Sequence, residues 1–548
     1  MNLFSFLLRS SGKMVAIAIA AGILSGGSSA ALIALVSRAI ANSSPPLTLA
    51  WGFLGLACIA LTTSIFTRVV LIRLSQDAVY RLQMRLCRQI LASEFGHLEQ
   101  LGPSRLLASL TEDVQTISNA VYVLPFLGIN LAIVAGGLLY ITWLSWQVFI
   151  IVMGVTAVAL MSSRVLLRQG RNFLVLARND QDRLYQHFQT ITEGIKELKL
   201  HAFRRQDFLK EDLEVTAQDF RRHNLRGLSL FATTDSWGKL IFFFAIGLVL
   251  FVLPHWLAIA PQTLAGYVLT FTYLMGPMEN IVNKLPLIGK ANIALEKIET
   301  LGLALAQYAE AANHQPLTAL ESPTLELKGI VRTYPSDDDT PFVLGPIDLA
   351  FNAGELVFIV GGNGSGKSTL AKLIAGLYLP EAGEMRWNGE LIAAENREGY
   401  RQNISAIFSD FYLFDRLLGF DRAGIDERAR HTLQTLHLEG KVRVERGKFS
   451  TTALSTGQRK RLALLTAYLE DRPMYLFDEW AADQDPAFKE IFYRQLLPQL
   501  RDRGKIVLAI GHDDRYFGEC DRLIKLDCGR VVGDRRRSEL RNLENFTE

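Results

Sequence analysis

Two domains of unlike architecture are expected along this chain: an all-α domain of six transmembrane helices with long helical extensions beyond the bilayer, and an α/β domain fused behind it. Three observations carry that expectation. Of the 548 residues, 49% are hydrophobic, which is too apolar for an ordinary soluble protein and too long for one domain. The apolar excess sits in the first 290 residues, in six stretches long enough to cross a membrane. After Leu325 short β-rich runs alternate with helical ones, the pattern of an α/β domain.

The six stretches fall at about 14–40, 47–72, 121–143, 146–168, 231–254 and 257–288. The first exceeds the apolar part of a signal peptide and a second follows at once, so it is read as a retained span. Orientation follows from the loops. The 1–2 loop is Asn42-Ser43-Ser44-Pro45-Pro46, and the 3–4 and 5–6 connections, near Leu144-Ser145 and Pro254-His255, carry no Lys or Arg. The 2–3 loop holds Arg73, Arg81, Arg85, Arg88 and Arg105, and the 4–5 loop is richer still, from Arg164 through Lys196 and Arg204 to Arg226. Positive charge marks the cytoplasmic side. These two loops, both termini and the second domain are therefore expected in the cytoplasm, in a multi-pass chain held by the lipid bilayer. Asp77, Glu112, Asp180 and Glu193 are mixed into the basic loops, as on a solvated helix face, which argues against nucleic acid as a partner.

Both basic loops read as helical. Residues 76–91 place Val79, Leu82, Leu86 and Ile90 at helical spacing, and residues 182–200 do so with Leu184, Phe188, Ile191, Ile195 and Leu198. The membrane helices are thus expected to run on below the bilayer, with turning points near 95–103 and 200–207 where a short contact helix fits. Within the spans the polar residues are Asn130, Asp235, Lys239, Thr270, Tyr273, Glu279, Asn280 and Asn283; ionisable groups at depth face a cavity or a partner, and Asp235 and Lys239 can also pair locally. Residues 289–323 are Ala-rich and polar, as a helical linker is. The expected divisions are a transmembrane domain over 1–290, a linker over 291–324 and the α/β domain over 325–548. Cys58, Cys87, Cys520 and Cys528 show no metal-ligand spacing and read as isolated thiols.

Gly361-Gly362-Asn363-Gly364-Ser365-Gly366-Lys367-Ser368 fits G-x-x-x-x-G-K-[ST], follows the apolar run 356–360 and opens a helical stretch at Thr369. Such a loop turns its backbone N–H groups onto phosphates, with Lys367 reaching the β- and γ-phosphates and the Ser368 hydroxyl suited to Mg²⁺. The second domain is therefore an α/β P-loop nucleotide-binding domain. The strand 474–477 ends in Asp478 and Glu479: the first suits Mg²⁺, and the second is placed to polarise an attacking water. Leu454-Ser455-Thr456-Gly457-Gln458 precedes a helix rich in Arg459, Lys460 and Arg461, and its N-terminus, with Ser455 and the Gly457 backbone, offers donors to a γ-phosphate. His512, just past the strand 506–510, is placed to contact that phosphate and orient the water. Tyr334, upstream of the phosphate loop, is the candidate to stack on adenine.

With these elements in this order, the chain resembles an ATP-binding cassette exporter half-transporter over essentially its whole length. The strings Phe408-Ser409-Asp410-Phe411-Tyr412-Leu413-Phe414, Asp478 to Pro486 and His512-Asp513-Asp514-Arg515-Tyr516-Phe517 are similar to the cyclic-peptide exporter family that includes pyoverdine- and syringomycin-type transporters. The resemblance implies ATP and Mg²⁺ as cofactors, and a domain-swapped homodimer in the bacterial inner membrane. In that dimer Lys367 and Ser368 of one copy and Ser455 and Gly457 of the other share each ATP. It also implies a connecting D-loop at Ala482, Asp483, Gln484 and Asp485. The implied activity is an ATPase that drives export of cyclic or otherwise compact peptide-like metabolites or their precursors. Where most cassettes carry a glutamine that senses Mg²⁺ and contacts the membrane domain, this chain has Ser409, so coupling is expected to involve Ser409 and Asp410. A lipid or hydrophobic-drug exporter would run on the same engine. An ATP-gated membrane regulator that moves no solute is a further alternative, against which the intact Glu479 and His512 argue.

Overall fold

A computed structural model describes residues 3–41, 47–256, 261–310, 322–334, 341–421 and 423–540. The chain packs as two units, Met1–Leu86 with Leu107–Leu301, and Cys87–Leu106 with Gly302–Glu548. The helices of the first half are α1 Leu3–Ala41, α2 Leu47–Ala92, α3 Phe95–Leu101, α4 Pro103–Ala108, α5 Val114–Leu144, α6 Trp146–Glu193, α7 Ile195–Leu200, α8 Ala202–Asp207, α9 Glu214–Gly247, α10 Leu253–Trp256 and α11 Pro261–Gln307. Each of the six long ones overlaps one of the six apolar stretches; the fifth stretch continues past α9 into α10, residues 257–260 of the sixth lie outside the described residues, and α2 and α6 run far past theirs, as the helical spacing of their apolar residues requires. Among the described residues, Leu47–Ala92, Arg105–Leu144 and Ala202–His255 are long and apolar enough to cross a membrane by length and composition, whereas Ile23–Ala39 and Trp146–Val155 are shorter apolar runs. Polar residues such as Asn280, Asn283 and Lys284 dilute α11. The 42–46 loop and residues 311–321 of the expected linker lie outside the described residues; α11 itself carries the linker's first part to Gln307.

Small residues set the packing of the membrane unit, because apolar side chains gain little from leaving lipid and close backbone approach supplies the contact. A Cβ on Gly26 of α1 would fall 2.4 Å from the Cβ of Ala132 on α5, and one on Gly227 of α9 would fall 2.7 Å from Leu174 on α6. Beyond the spans, α6 and α9 stay joined by polar contacts. Asp180, 2% exposed, accepts from Arg183 at 2.5 Å and lies 2.7 Å from His223 Nδ1. A second core joins α2, α5 and α11 through Leu74, Ala78, Ile117, Ala120, Ala294 and Leu295.

The second unit is built on two sheets. The larger has the order β12-β11-β3-β10-β9-β6, with β3 Leu356–Val360, β6 Ile404–Ile407, β9 Met474–Asp478, β10 Ile506–Ile510, β11 Arg522–Asp527 and β12 Arg530–Arg536. All its pairings are parallel except β11 with β12. Every residue of β3, β9 and β10 is buried, the continuous apolar run expected of a parallel strand covered on both faces. The smaller sheet, β2-β1-β4-β5, holds β1 Thr324–Tyr334, β2 Phe342–Asn352, β4 Ala382–Trp387 and β5 Glu390–Leu391; β7 Val444–Glu445 and β8 Lys448–Phe449 form a hairpin. The helices are α12 Lys367–Ile374, α13 Arg397–Arg401, α14 Ile425–Thr435, α15 Thr456–Glu470, α16 Pro486–Ile491, α17 Leu497–Asp502 and α18 Arg537–Leu540.

Residues 87–106 pack with this second unit, although they belong to the loop between the second and third spans. Ala92 to Glu94 and Tyr308 to Glu310 zip together, with Glu94 N donating to Tyr308 O at 2.9 Å and Glu310 N to Ala92 O at 2.7 Å. Arg397, 2% exposed, then pairs with Glu94 at 3.0 Å and Glu310 at 3.2 Å. Two carboxylates compensate this one buried guanidinium, and together they fasten the loop. His97 stacks on Tyr308 with ring centroids 4.3 Å apart.

Candidate nucleotide site and membrane cavity

The carboxyl ends of three adjacent parallel strands, β3, β10 and β9, converge, and crevices at such ends are where α/β sheets bind ligands. β3 delivers the phosphate loop. A Cβ on Gly361 would stand 2.2 Å from Leu526 O, and one on Gly366, at φ +98°, 2.8 Å from Leu344, so both positions require glycine for the loop to turn into α12. Lys367 opens that helix, 5% exposed, and its ammonium donates to Gly361 O and Gly362 O, each at 2.9 Å. Burial pulls the Lys367 ammonium below its ordinary range, and the nearby Glu479 and Asp478 carboxylates only partly restore it.

β9 ends at Asp478, 1% exposed, whose Oδ1 is buried without a hydrogen-bond partner. Burial raises this carboxyl above the ordinary range; the Ser368 hydroxyl pulls it back, Glu479 raises it again, Lys367 lowers it and Asp410 raises it. A buried carboxylate oxygen without a partner calls for a ligand, and with the Ser368 hydroxyl beside it the donor set is the hard-oxygen kind that suits Mg²⁺. Glu479 follows in the left-handed region, φ +50°. Its N–H is held by Ile510 O at 3.0 Å, and its carboxylate lies 3.5 Å from His512 Nε2, with both side chains partly exposed. The structure thus brings together Lys367, Ser368, Asp478, Glu479 and His512. Tyr334 ends β1 half-buried against the core.

Ser455 caps α15 in a capping box: its hydroxyl accepts from Gln458 N at 3.4 Å, and Gln458 Oε1 accepts from Ser455 N at 3.4 Å. The hydroxyl proton stays available, and Thr456, Gly457 and Gln458 form the first turn. Among the described residues no hydrogen bond joins this turn to the phosphate loop. Its partners are on the segment 480–485 instead. Gln484 Nε2 donates to Gly457 O at 3.0 Å, Arg461 donates to Gln484 at 2.8 Å and pairs with Asp485, and Lys460 meets Asp483 at 2.7 Å. A Cβ on Gly457 would fall 2.7 Å from Asp483 O. Asp485 caps α16 through Phe488 N at 2.9 Å, and Ala482 is exposed. Ser409 and Asp410 form an exposed turn after β6. Lys460, with its ammonium on Glu479 O at 2.9 Å, is a residue that sequence reasoning passed over, because a basic residue in a basic helix reads as solvated.

The membrane unit holds a cavity of about 500 Å³. Met153, Phe242, Phe271 and Met278 line its apolar wall, and Arg164, Lys239, Glu279 and Asn283 its polar part. Lys239 and Glu279 pair across α9 and α11 at 3.3 Å while remaining well exposed. The Asp235 side chain lies outside the described residues. Thr270, fully buried, satisfies itself on Gly266 O at 2.7 Å.

A helical membrane unit joined to a phosphate-loop cassette with a Ser-Thr-Gly-Gln turn is the architecture of an exporter half-transporter. The chain belongs to the ATP-binding cassette transporters: residues 15–278 match the ABC transporter transmembrane region and residues 344–482 the ABC transporter family. It is 36% identical over 528 residues to the ATP-binding protein SyrD of Pseudomonas syringae pv. syringae, covering 94% of this chain and 93% of that one. It is 27% identical over 473 residues to the ATP-dependent lipid A-core flippase of Alkalilimnicola ehrlichii, over 81% of this chain and 77% of the relative. A solved bacterial Atm1-family ABC exporter with ATP bound superposes with a TM-score of 0.74 over 97% of this chain and 96% of that chain, at 17% identity, which speaks for the fold. The protein is accordingly a multi-pass membrane exporter that binds and hydrolyses ATP to drive transport.

Proposed function

We propose that this exporter carries compact, peptide-like metabolites or their precursors out across a bacterial inner membrane, as a homodimer with two equivalent ATP sites. The observation that carries the cargo reading is the membrane cavity, whose volume of about 500 Å³ lies within the roughly 300–1,000 Å³ that encloses a compact ligand. Its methionine-rich wall adapts to varied apolar shapes, while Lys239, Glu279 and Asn283 offer donors and acceptors to a peptide backbone. Similarity to SyrD over nearly the whole chain supports the same reading. Similarity to a lipid A-core flippase favours lipid as the second reading.

In the ATP site, Gly361 to Thr369 hold the phosphates and Tyr334 the adenine. Ser368 and Asp478 would hold Mg²⁺, which when bound would neutralise phosphate charge. Glu479, steadied at its backbone by Lys460 and Ile510, accepts the proton of the attacking water, and His512, 3.5 Å from it, orients that water. The Ser455–Gln458 turn bonds its own D-loop, Ala482 to Asp485, and leaves its free donors to the ATP held by the partner copy's phosphate loop. Two chains then close on two ATP molecules, hydrolysis releases the clamp, and Ser409 and Asp410 take part in passing the change on. Inside-out proteoliposomes supplied with ATP, a panel of cyclic and acylated peptides, and fluorescent phospholipid test the cargo. ATP-dependent peptide uptake that falls in Lys239→Met is the expected result; translocation of phospholipid alone would replace this reading with the lipid one.

A further inference from the structure

β10 ends at Ile510, and the chain turns at once. Asp514 N donates to His512 O at 3.1 Å, with Asp513 between them at φ −81° and ψ +85°, close to the geometry of an inverse γ-turn. His512 is thus the first residue of a tight turn whose apex is Asp513. The apex side chain is mostly turned away from water: Asp513 Oδ2 accepts from Lys489 Nζ at 2.9 Å, and the two side chains are 25% and 15% exposed. Arg515, well exposed, approaches the other oxygen only at 4.0 Å. Lys489 stands on α16, one turn beyond Asp485, whose carboxylate caps that helix.

Docking of the segment does not depend on this pair. Farther along, Tyr516 stacks on Tyr493 with ring centroids 4.3 Å apart, its hydroxyl donates to Glu490 at 3.4 Å, Arg494 donates to Glu519 at 2.9 Å, and Cys520 is fully buried. Residues 516–520 are held without Lys489. What the pair adds lies at the other end of the turn. The His512 ring is half exposed, and Nε2 approaches Glu479 only to 3.5 Å; among the described residues no hydrogen bond holds the ring. Its backbone must therefore aim it. On one side Gly511 N is tied to Ile359 O at 3.3 Å, and on the other the tie is the Asp513 carboxylate on Lys489. We propose that Lys489 is a positioning residue for His512: by gripping Asp513 it fixes the turn, and the turn fixes where the ring reaches. The role rests on the reading of His512 as the group that orients the attacking water. Lys489 itself contributes no atom to that reaction.

Steady-state ATPase of the full chain in lipid nanodiscs, measured across an ATP titration for Lys489→Met, His512→Ala and the double variant, tests the assignment. In Lys489→Met kcat should fall about fivefold while KM stays within about twofold and the thermal midpoint is kept, as loss of a charge-assisted hydrogen bond, discounted for its partial exposure, implies. In the His512→Ala background the same substitution should change kcat by less than about 1.5-fold, since the turn then has no ring to aim. Lys489→Arg, which keeps the charge, should retain at least about half of kcat. Wild-type kcat in Lys489→Met overturns the proposal, and a slow His512→Ala beside it leaves the reading of His512 in place. An undiminished loss in the His512→Ala background also overturns it, because Lys489 would then act by another route. If His512→Ala itself turns over within about twofold of wild type, the reading of His512 fails and the role of Lys489 fails with it. Asp513→Asn keeps the shape of the apex and removes its charge, so it decides the matter if Lys489→Met does not fold: a loss of about threefold supports the grip, and wild-type kcat refutes it.

Discussion

Replacing Lys460 by Met should slow ATP turnover by about 30-fold with little change in ATP affinity. The side chain is 3% exposed, and its ammonium makes two contacts, 2.9 Å to Glu479 O and 2.7 Å to Asp483 Oδ2. Met fills nearly the same volume, so packing is kept and the charge alone is lost. Hydrogen bonds to charged groups contribute about 1.5–3 kcal/mol. The Asp483 contact is discounted because its side chain is 48% exposed and water takes over. The Glu479 carbonyl contact remains, and it bears on a residue held at φ +50°, a conformation that costs a non-glycine residue about 1–3 kcal/mol and persists only when its surroundings enforce it. A loss of about 2 kcal/mol in holding Glu479 corresponds to about 30-fold in rate. The assay is steady-state ATPase of the purified chain in nanodiscs across an ATP titration: kcat should fall about 30-fold and KM stay within about twofold, with Lys460→Arg intermediate. A kcat within twofold of wild type in a variant of unchanged thermal midpoint would refute the idea that Lys460 sets the Glu479 backbone.

Glu479→Gln keeps the shape of the site and removes the proton acceptor, so hydrolysis should drop at least about a hundredfold while ATP binding persists; radiolabelled ATP retention alongside phosphate release checks both, and wild-type turnover would exclude Glu479 as the base. Glu470 is pushed up by burial, with the Ser405 hydroxyl at 2.5 Å only partly lowering it. The folded chain therefore binds this proton more tightly than the unfolded chain, and the site favours folding as pH falls and opposes it once ionised. Glu470→Gln should raise the thermal midpoint at about pH 8, with the gain shrinking towards about pH 5; melting curves across that range test it, and a constant difference would contradict the sign. Gly26→Leu should separate α1 from α5, since even a Cβ there would lie 2.4 Å from Ala132; size-exclusion chromatography should show loss of monodisperse protein, and normal yield would mean the two helices are not held as described.

The local geometry of the candidate nucleotide site was legible because it depends on near neighbours in the chain. A phosphate loop must follow a buried strand and open a helix within a few residues, so Gly361 to Thr369 declare themselves, as do the acids closing the strand at Asp478 and the cap at Ser455. The membrane helices were legible for a related reason: hydrocarbon demands long apolar stretches, and amphipathic spacing carries α2 and α6 beyond them. Tertiary structure alone decided which groups share a partner. Nothing near Asp513 in the chain announces Lys489, and Arg397, set in the polar run Glu395-Asn396-Arg397-Glu398, reads as surface until Glu94 and Glu310 are seen to bury it. Lys460 likewise reads as one charge among three, and its place beneath Glu479 follows from the turn at 480–483 folding back on α15. The Lys239–Glu279 pair joins helices whose facing sides depend on how glycines such as Gly26 and Gly227 let their neighbours approach. A sequence pattern records what a segment needs from its own backbone and solvent; a buried charge is resolved by groups brought from far along the chain, and only the packed fold says which ones arrive.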